Sequence, residues 1–279
     1  MGEKIIYHYT DFNALQGIFS RESGNGLRLC NICNMNDSRE VTYFLDLMHN
    51  EIRNALLQHG DIDLDIKAFD EMFNKKIELN KKSPVYVASF SLRRDDVAQW
   101  ERYAKGGTGV SIGFDNDVLE TILPQGTVLE KVYYKAKLPF HEYINIFLEY
   151  YRTGKCYYKG HKYSDIEKVF ANMYARATGY KHPSFASESE KRISILPGLE
   201  YLLGTPIQYC STPNGIREYY SLNLHQQCEE KNVKFYDLIS EILIGPKAVQ
   251  DLGVFDRYLK SIKLEKLCEK IKISDAPLR

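Results

Sequence analysis

The chain has 279 residues, 44% hydrophobic and 27% charged, and its 37 basic side chains balance 37 acidic ones. A chain of this size buries a substantial core, and zero net charge excludes the global electrostatic footprint of a nucleic-acid binder. No run approaches the roughly 18 apolar residues of a membrane span, the opening MGEKIIYHYT lacks a signal-peptide core, and six irregularly spaced cysteines make no disulfide framework. A cytoplasmic protein with free thiols, away from membranes, is expected.

Taken in chain order, KIIYHYT (4–10) reads as a strand, 11–19 as a short helix and GLRLCN (26–31) as a second strand. Residues 38–57 and 64–79 space their apolar side chains by three and four, as helices do, with Gly60 as a stop between them. Next come the strand PVYVASFS (84–91), a helix over 95–103 capped by Asp95, the turn GGTG, and the strands GVSIGFD (109–115) and TVLEKVYYK (127–135). Helices follow over 140–151 and 164–177, with Ser164 as cap and Gly179 as stop. The strands EKRISIL (190–196), REYYSLNL (217–224) and ISEILIGP (239–246) complete the pattern. Strands arrive in groups rather than in strict β-α alternation, which favours an antiparallel-rich α+β fold. One domain over 1–279 is expected, with a helical, Lys/Tyr-rich insertion at about 138–183.

Three stretches invite a chemical reading. In SFASESEKRISIL (184–196), Glu188, Glu190 and Arg192 recur at every second position, so an extended strand would turn all three to one face. That alternation also describes the wet side of a half-exposed strand. Cys30 and Cys33 form the only C-x-x-C, and without a second close pair no metal site is expected. Residues 131–181 hold ten Lys or Arg against four Asp or Glu, with ten of the 21 tyrosines. Basic and aromatic side chains so interleaved could hold a single-stranded nucleic acid, or could form a helical subdomain with rings inward and lysines in solvent.

Taken in order, YHYT, NMNDSRE, ASFS with QWERYAKGGTGVSIGFD, ASESEKRISI and ISEILIGP resemble a bacterial domain family of unknown function. Its usual marks are Asn-Asp-Pro-x-Glu, Phe-Ser, Trp-x-x-Tyr before Gly-Val-x-Ile-Gly-Phe, and Glu-x-Glu-x-Arg. Ser38 stands here for the common Pro, and Ser187 for an aromatic residue. That family is in turn similar to the ADP-ribosyltransferase superfamily, in the order of a His strand, a Ser strand and a late Glu strand. The resemblance implies a split β-sheet ADP-ribosyltransferase-like core with helical insertions. It implies NAD as donor substrate, held by His8, Tyr9, Thr10, Ser89, Ser91, Trp100 and Tyr103, with Trp100 or Tyr103 stacked on nicotinamide. It further implies one catalytic carboxylate in the Glu-x-Glu pair. Glu190, nearest the apolar run and so most firmly held, is expected in that role, with Glu188 beside it to orient or deprotonate the acceptor, and the choice between the two stays open.

One carboxylate is a sufficient kit for this reaction. Breaking the nicotinamide–ribose bond builds positive charge on the ribose, and nicotinamide leaves from an already cationic state, so no general acid is needed. The acceptor expected from the basic, Tyr-rich stretch is single-stranded RNA or DNA, with Lys155, Lys159 and Lys162 on its backbone. Protein is the alternative acceptor. The family resemblance implies a toxin of bacterial toxin–antitoxin or anti-phage defence, with an antitoxin as partner. Two other readings remain open at this point, a non-catalytic nucleotide-sensing or protein-binding module, and a nuclease using His8 and His182. Asn36, Asp37 and Arg39 form a polar loop that an Asx-turn explains without a ligand.

Overall fold

The computed structural model describes residues 4–278 except 36–40, 60–64, 81–83, 135–140, 159–160, 164, 196–197 and 213–214. The chain opens with β1 (Ile5–Thr10), α1 (Phe12–Phe19), β2 (Leu27–Asn31), α2 (Thr42–Gln58), α3 (Ile66–Asn80) and β3 (Tyr86–Ser91). It continues with α4 (Val97–Tyr103), β4 (Val110–Asp115), α5 (Asn116–Ile122), β5 (Thr127–Lys131), α6 (His141–Thr153), β6 (Cys156–Tyr158), β7 (His161–Tyr163) and α7 (Ile166–Ala177). The last third holds β8 (Glu190–Ile195), β9 (Gln208–Thr212), β10 (Gly215–Leu222), α8 (Leu224–Glu230), α9 (Phe235–Leu238), β11 (Ile239–Ile244), α10 (Leu252–Ser261) and β12 (Ile271–Ile273). This is a mixed α+β protein built on a mostly antiparallel sheet, and among the described residues no helix is long and apolar enough to cross a membrane.

Two compact units divide the chain. The first takes residues 1–30, 86–131 and 187–279, and the second takes 31–85 and 132–186. The 138–183 stretch therefore belongs to a unit that also draws on α2 and α3.

The first unit carries the ten-stranded sheet, in the order β12-β11-β4-β1-β3-β2-β10-β9, with β8 on β3 and β5 on β8. β8 pairs with β3 along all of Tyr86–Ser91. β1 and β2 must then share the other edge of β3, where β1 keeps only the pair Tyr7↔Ser91, so the sheet forks there. Period-two alternation sorts the side chains. Ile6, Phe90, Ile112, Phe114, Ile193 and Ile242 point to one face and form the core under α1, α5, α8, α9 and α10. Four of these helices start on an Asx cap. Asp11 accepts from the Ala14 amide, Asp115 from the Asp117 and Val118 amides, Asn223 from Gln226, and Asp251 from Gly253 and Val254.

The opposite face is polar at its centre. The registers Glu190↔Ser91, Ser91↔Tyr7, Tyr7↔Gly113 and Gly113↔Glu241 draw one row across five strands. Close approach of two backbones fixes the glycines just before β4 and just after β11. A Cβ on Gly109 would lie 2.2 Å from the Thr10 carbonyl, and one on Gly245 2.3 Å from that of Gly107.

The second unit packs α2, α3, α6 and α7 around aromatic rings. Phe44, Met48, Ile52 and Leu56 make a four-spaced stripe on α2, and Phe69, Phe73 and Ile77 continue it on α3. Phe73 and Phe147 each meet Phe170 edge to face, with centroids 5.1 and 5.6 Å apart. Tyr143 and Tyr174 are buried in this core. β6 and β7 pair as a hairpin between α6 and α7.

Candidate active site

The alternation expected for Glu188, Glu190 and Arg192 holds for only two of them. β8 begins at Glu190, and Glu188 ends a 3-10 turn over Pro183–Glu188. Between them Ser189 adopts φ 45°, a left-handed conformation that a residue with a Cβ avoids unless its surroundings impose it. Two bonds impose it. Ser91 Oγ donates to the Glu188 carbonyl at 2.8 Å, and the Leu92 amide donates to the Ser189 carbonyl at 2.8 Å. Nor is this the wet side of a strand, because Glu188, Glu190 and Arg192 are only 4%, 5% and 1% exposed. A strand flanked by β3 and β5 has no solvated edge to relax toward.

The two carboxylates are held differently. Arg192 closes on Glu190 in a two-pronged pair, Nε to Oε1 at 2.6 Å and Nη2 to Oε2 at 2.9 Å. Glu188 Oε1 accepts from the Tyr103 hydroxyl at 2.6 Å and from Arg102 Nη1 at 3.3 Å, and the Arg102 side chain is half exposed. Burial, then the hydrogen bond and charge of Glu188 and the charge of Glu190, push the Tyr103 phenol well above its ordinary range. Tyr103 is therefore a fixed donor.

Tyr103 is placed by α4, whose first turn is anchored from several sides. Asp96 caps it, accepting from the Ala98 and Gln99 amides. The expected cap, Asp95, instead sits at φ 53° and accepts from Trp100 Nε1 at 2.7 Å. Tyr9 donates to the Arg93 carbonyl and accepts from the Asp96 amide, and burial raises its phenol to about 12. Trp100 is wholly enclosed, edge-on to Tyr9 at 4.9 Å, so it offers no open face for a stacked ring. Of the two rings expected to stack, Tyr103 alone retains some exposure.

His8 and Thr10 alternate with Tyr7 and Tyr9 and so point to the apolar face, away from Ser91, Glu190 and Tyr103. The His8 ring lies against Phe90, and its Nδ1 bonds to the Ser89 carbonyl at 2.9 Å. A carbonyl only accepts, so Nδ1 carries the proton, and burial, partly offset by that bond, lowers the imidazole below its usual value. Neutral His8 then presents Nε2 as an acceptor. Ser89 lies in register with Arg192, and its buried hydroxyl has no hydrogen-bond partner among the described residues.

A third buried carboxylate was not anticipated. Glu241 is 3% exposed and takes Arg94 in two bonds, at 2.8 and 3.2 Å, with Lys272 at 2.9 Å. Burial alone would raise it, but hydrogen bonds from Arg94, Lys272 and Tyr7 outweigh burial and hold it below the usual carboxylate range. The one signal in the sequence was an acid inside the apolar run of ISEILIGP. Arg102 and Asp95 were likewise missed as site residues, since neither stands at a motif position.

Lys155, Arg152, Lys168 and Arg176 are exposed, whereas Lys181 is buried with its ammonium 4.9 Å from the Phe185 ring. Lys159 lies outside the described residues, as do Asn36, Asp37 and Arg39, and Lys162 falls on β7. The inward rings of Tyr143 and Tyr174 match the subdomain reading of this stretch rather than a stacking surface. His182 belongs to the second unit, where Nδ1 meets Ser184 Oγ at 2.8 Å. Among the described residues no three His, Cys, Asp or Glu side chains converge as metal ligands.

Residues 99–193, about a third of the chain, match the family model described as Protein of unknown function (DUF2971). The match contains Trp100, Arg102, Tyr103, Glu188, Glu190 and Arg192, and so both sides of the site. No curated protein and no solved structure matches the chain.

Proposed function

We propose that the chain is an ADP-ribosyltransferase that takes NAD as donor and a macromolecule as acceptor, with Glu188 as the carboxylate that meets the reacting ribose. The observation carrying this reading is the convergence of Glu188, Glu190, Ser91 and Tyr103 on one face of a sheet that forks at β3. Of the two acids, Glu190 has both oxygens neutralised by an enclosed arginine. Glu188 shares its charge with a half-exposed one that can swing into solvent. The geometry thus favours the reverse of the order expected from strand position, with Glu190 and Arg192 as the positioning pair.

In the reaction the ribose C1′–nitrogen bond breaks, and its electron pair neutralises the departing pyridinium. The carboxylate stabilises the cationic ribose, and the acceptor nucleophile bonds to C1′ as its proton passes to the carboxylate or to water. Tyr103 keeps its proton and fixes the carboxylate. For the acceptor, exposed Lys155, Arg152 and Lys168 favour a polyanion such as single-stranded RNA or DNA.

Isotopically labelled NAD incubated with RNA, DNA and protein fractions tests this. Label should pass to nucleic acid, and Glu188→Gln should cut transfer by about 10²–10³. Label only on protein would overturn the acceptor, and Glu188→Gln keeping a third of the activity, against about 10²–10³ expected, would overturn the catalytic assignment. A second reading, a nucleotide-binding module without catalysis, draws on the pairing of both carboxylates with arginines. It predicts saturable NAD binding with no label transferred.

A further inference from the structure

Past β12 the chain crosses the polar face of the sheet. The Ser274 amide still makes a sheet-like bond, to the Ile244 carbonyl at 2.9 Å. Beyond it, residues 274–278 are held by one carboxylate and two apolar side chains. Ser274 Oγ and the Asp275 amide both donate to Asp95. Ala276 and Leu278 pack on the cluster of Tyr7, Tyr9, Trp100, Ala104 and Leu243. The segment's other bonds, Ala276 amide to Ser274 Oγ and Leu278 amide to Ala276 carbonyl, are internal. Leu278 fills the space that Gly107 leaves, since a Cβ there would meet its Cδ2 at 2.6 Å.

The cluster this segment packs on includes Trp100, whose indole N–H goes to the same Asp95. Trp100 lies three residues before Tyr103 on α4, so one short helix links that ring to the groups on Glu188. Left-handed residues flank that helix, Asp95 before it and Lys105, Gly106 and Gly107 after it. Such conformations persist where the surroundings over-determine them.

We propose that residues 274–278 are a strap that lifts from Trp100 as a unit and admits an apolar group carrying hydrogen-bond donors to Asp95. The strap's own chemistry describes its replacement. What leaves is a small apolar body with two donors, and what remains is a pair of aromatic rings beside an anionic acceptor. A planar ring with a carboxamide supplies both parts, and a positive charge on the ring suits the carboxylate. Identifying that ring as the nicotinamide of NAD rests on the function proposed above, while the lifting of the strap does not.

The single tryptophan makes the test direct in the full chain. In the wild type, amides of 274–278 should exchange with deuterium about tenfold or more faster than those of β1, β4 and β11, as expected of a locally opening unit. Ser274→Ala with Leu278→Ala should leave the far-UV spectrum unchanged, shift Trp100 emission to the red and raise acrylamide quenching about threefold or more. A folded variant with unchanged quenching overturns the strap, and so do strap amides that exchange only with the sheet. If the double variant does not fold, the wild-type exchange rates decide. NAD and nicotinamide should then quench Trp100 saturably, at lower concentration in the variant, because a competing occupant is gone. Should the strap lift while neither compound alters Trp100, the strap stands and its link to NAD falls.

Discussion

Removing the guanidinium from Arg192 tests the idea that β8 carries charge inside the fold. The Arg192 side chain is 1% exposed and that of Glu190 6%, and both carboxylate oxygens are engaged, at 2.6 and 2.9 Å. In Arg192→Met the apolar stem still packs, but water cannot reach Glu190 to replace what it has lost. Breaking a buried pair from one side costs about 3–5 kcal/mol, against about 0–1 for a surface pair. In a chain of this size that lowers the melting temperature on the order of 10 °C. Adding Glu190→Gln removes the stranded charge and should return most of the loss, leaving about 1–2 kcal/mol. Urea unfolding of the two single variants and the double, followed by Trp100 emission and far-UV circular dichroism, closes a double-mutant cycle with coupling of about 2 kcal/mol or more. If Arg192→Met stays within about 1 kcal/mol of wild type, the value for an exposed pair, the burial argument is wrong.

Further outcomes follow from the same contacts. Tyr103→Phe should lower transfer less than Glu188→Gln does, because it removes one donor and leaves the charge; equal losses would make Tyr103 part of the chemistry. Glu241, held below the ordinary carboxylate value of about 4.3, contributes stability above that pH which is lost as pH falls through its folded-state value. The urea midpoint should therefore drop on acidification below about pH 4.3, and Arg94→Met, lower at neutral pH, should show a shallower drop; parallel curves would refute the pairing. His8 and His225 are held neutral mainly by burial. Unfolding lets them take up protons as pH falls below about 6.5, so NMR titration should place both imidazoles below that value and either one titrating above it would contradict the burial. Gly109→Ala and Gly245→Ala each force a Cβ onto a backbone carbonyl and should cost about 1–3 kcal/mol or more by thermal melting; a full-stability variant would mean the strands are not that close.

Much of the fold was legible because its elements follow local rules. Every strand expected from apolar runs between turn residues is present, as are the helices carrying four-spaced stripes. The missed elements lacked that grammar. β9 reads QYCST, an edge strand paired, among the described residues, with β10 alone, and β12 has three residues. α5, α8 and α10 are short, and two of their caps were hidden in strand runs, Asp115 as the last residue of GVSIGFD and Asn223 near the end of REYYSLNL, while Asp251 stood outside any expected element. In RRDD the cap moved by one residue, since Asp95 and Asp96 are the same residue type and tertiary contacts with Trp100 and the 274–278 segment decide between them.

The site was legible as a set of residues and not as an arrangement. Glu188 and Glu190 look equivalent by spacing until Ser189 turns left-handed, and that turn depends on bonds from Ser91 and Leu92, about a hundred residues away. His8 and Ser91 belong to motifs that look like one pocket, yet the register Tyr7↔Ser91 sends His8 to the opposite face. Register also explains why Glu241 escaped notice. Only the pairing of five strands shows that Glu190 and Glu241 end one row, four strand spacings or roughly 19 Å apart. Each end is a buried carboxylate held by an arginine, and between them Gly113 leaves room for the Tyr7 ring and the Glu241 stem. A row so costly to bury on one face, with apolar core on the other, needs a reason beyond stability, because an apolar row would pack more cheaply. Glu188 at one end and the strap over Trp100 near its middle supply that reason in two forms, and each can fail without the other.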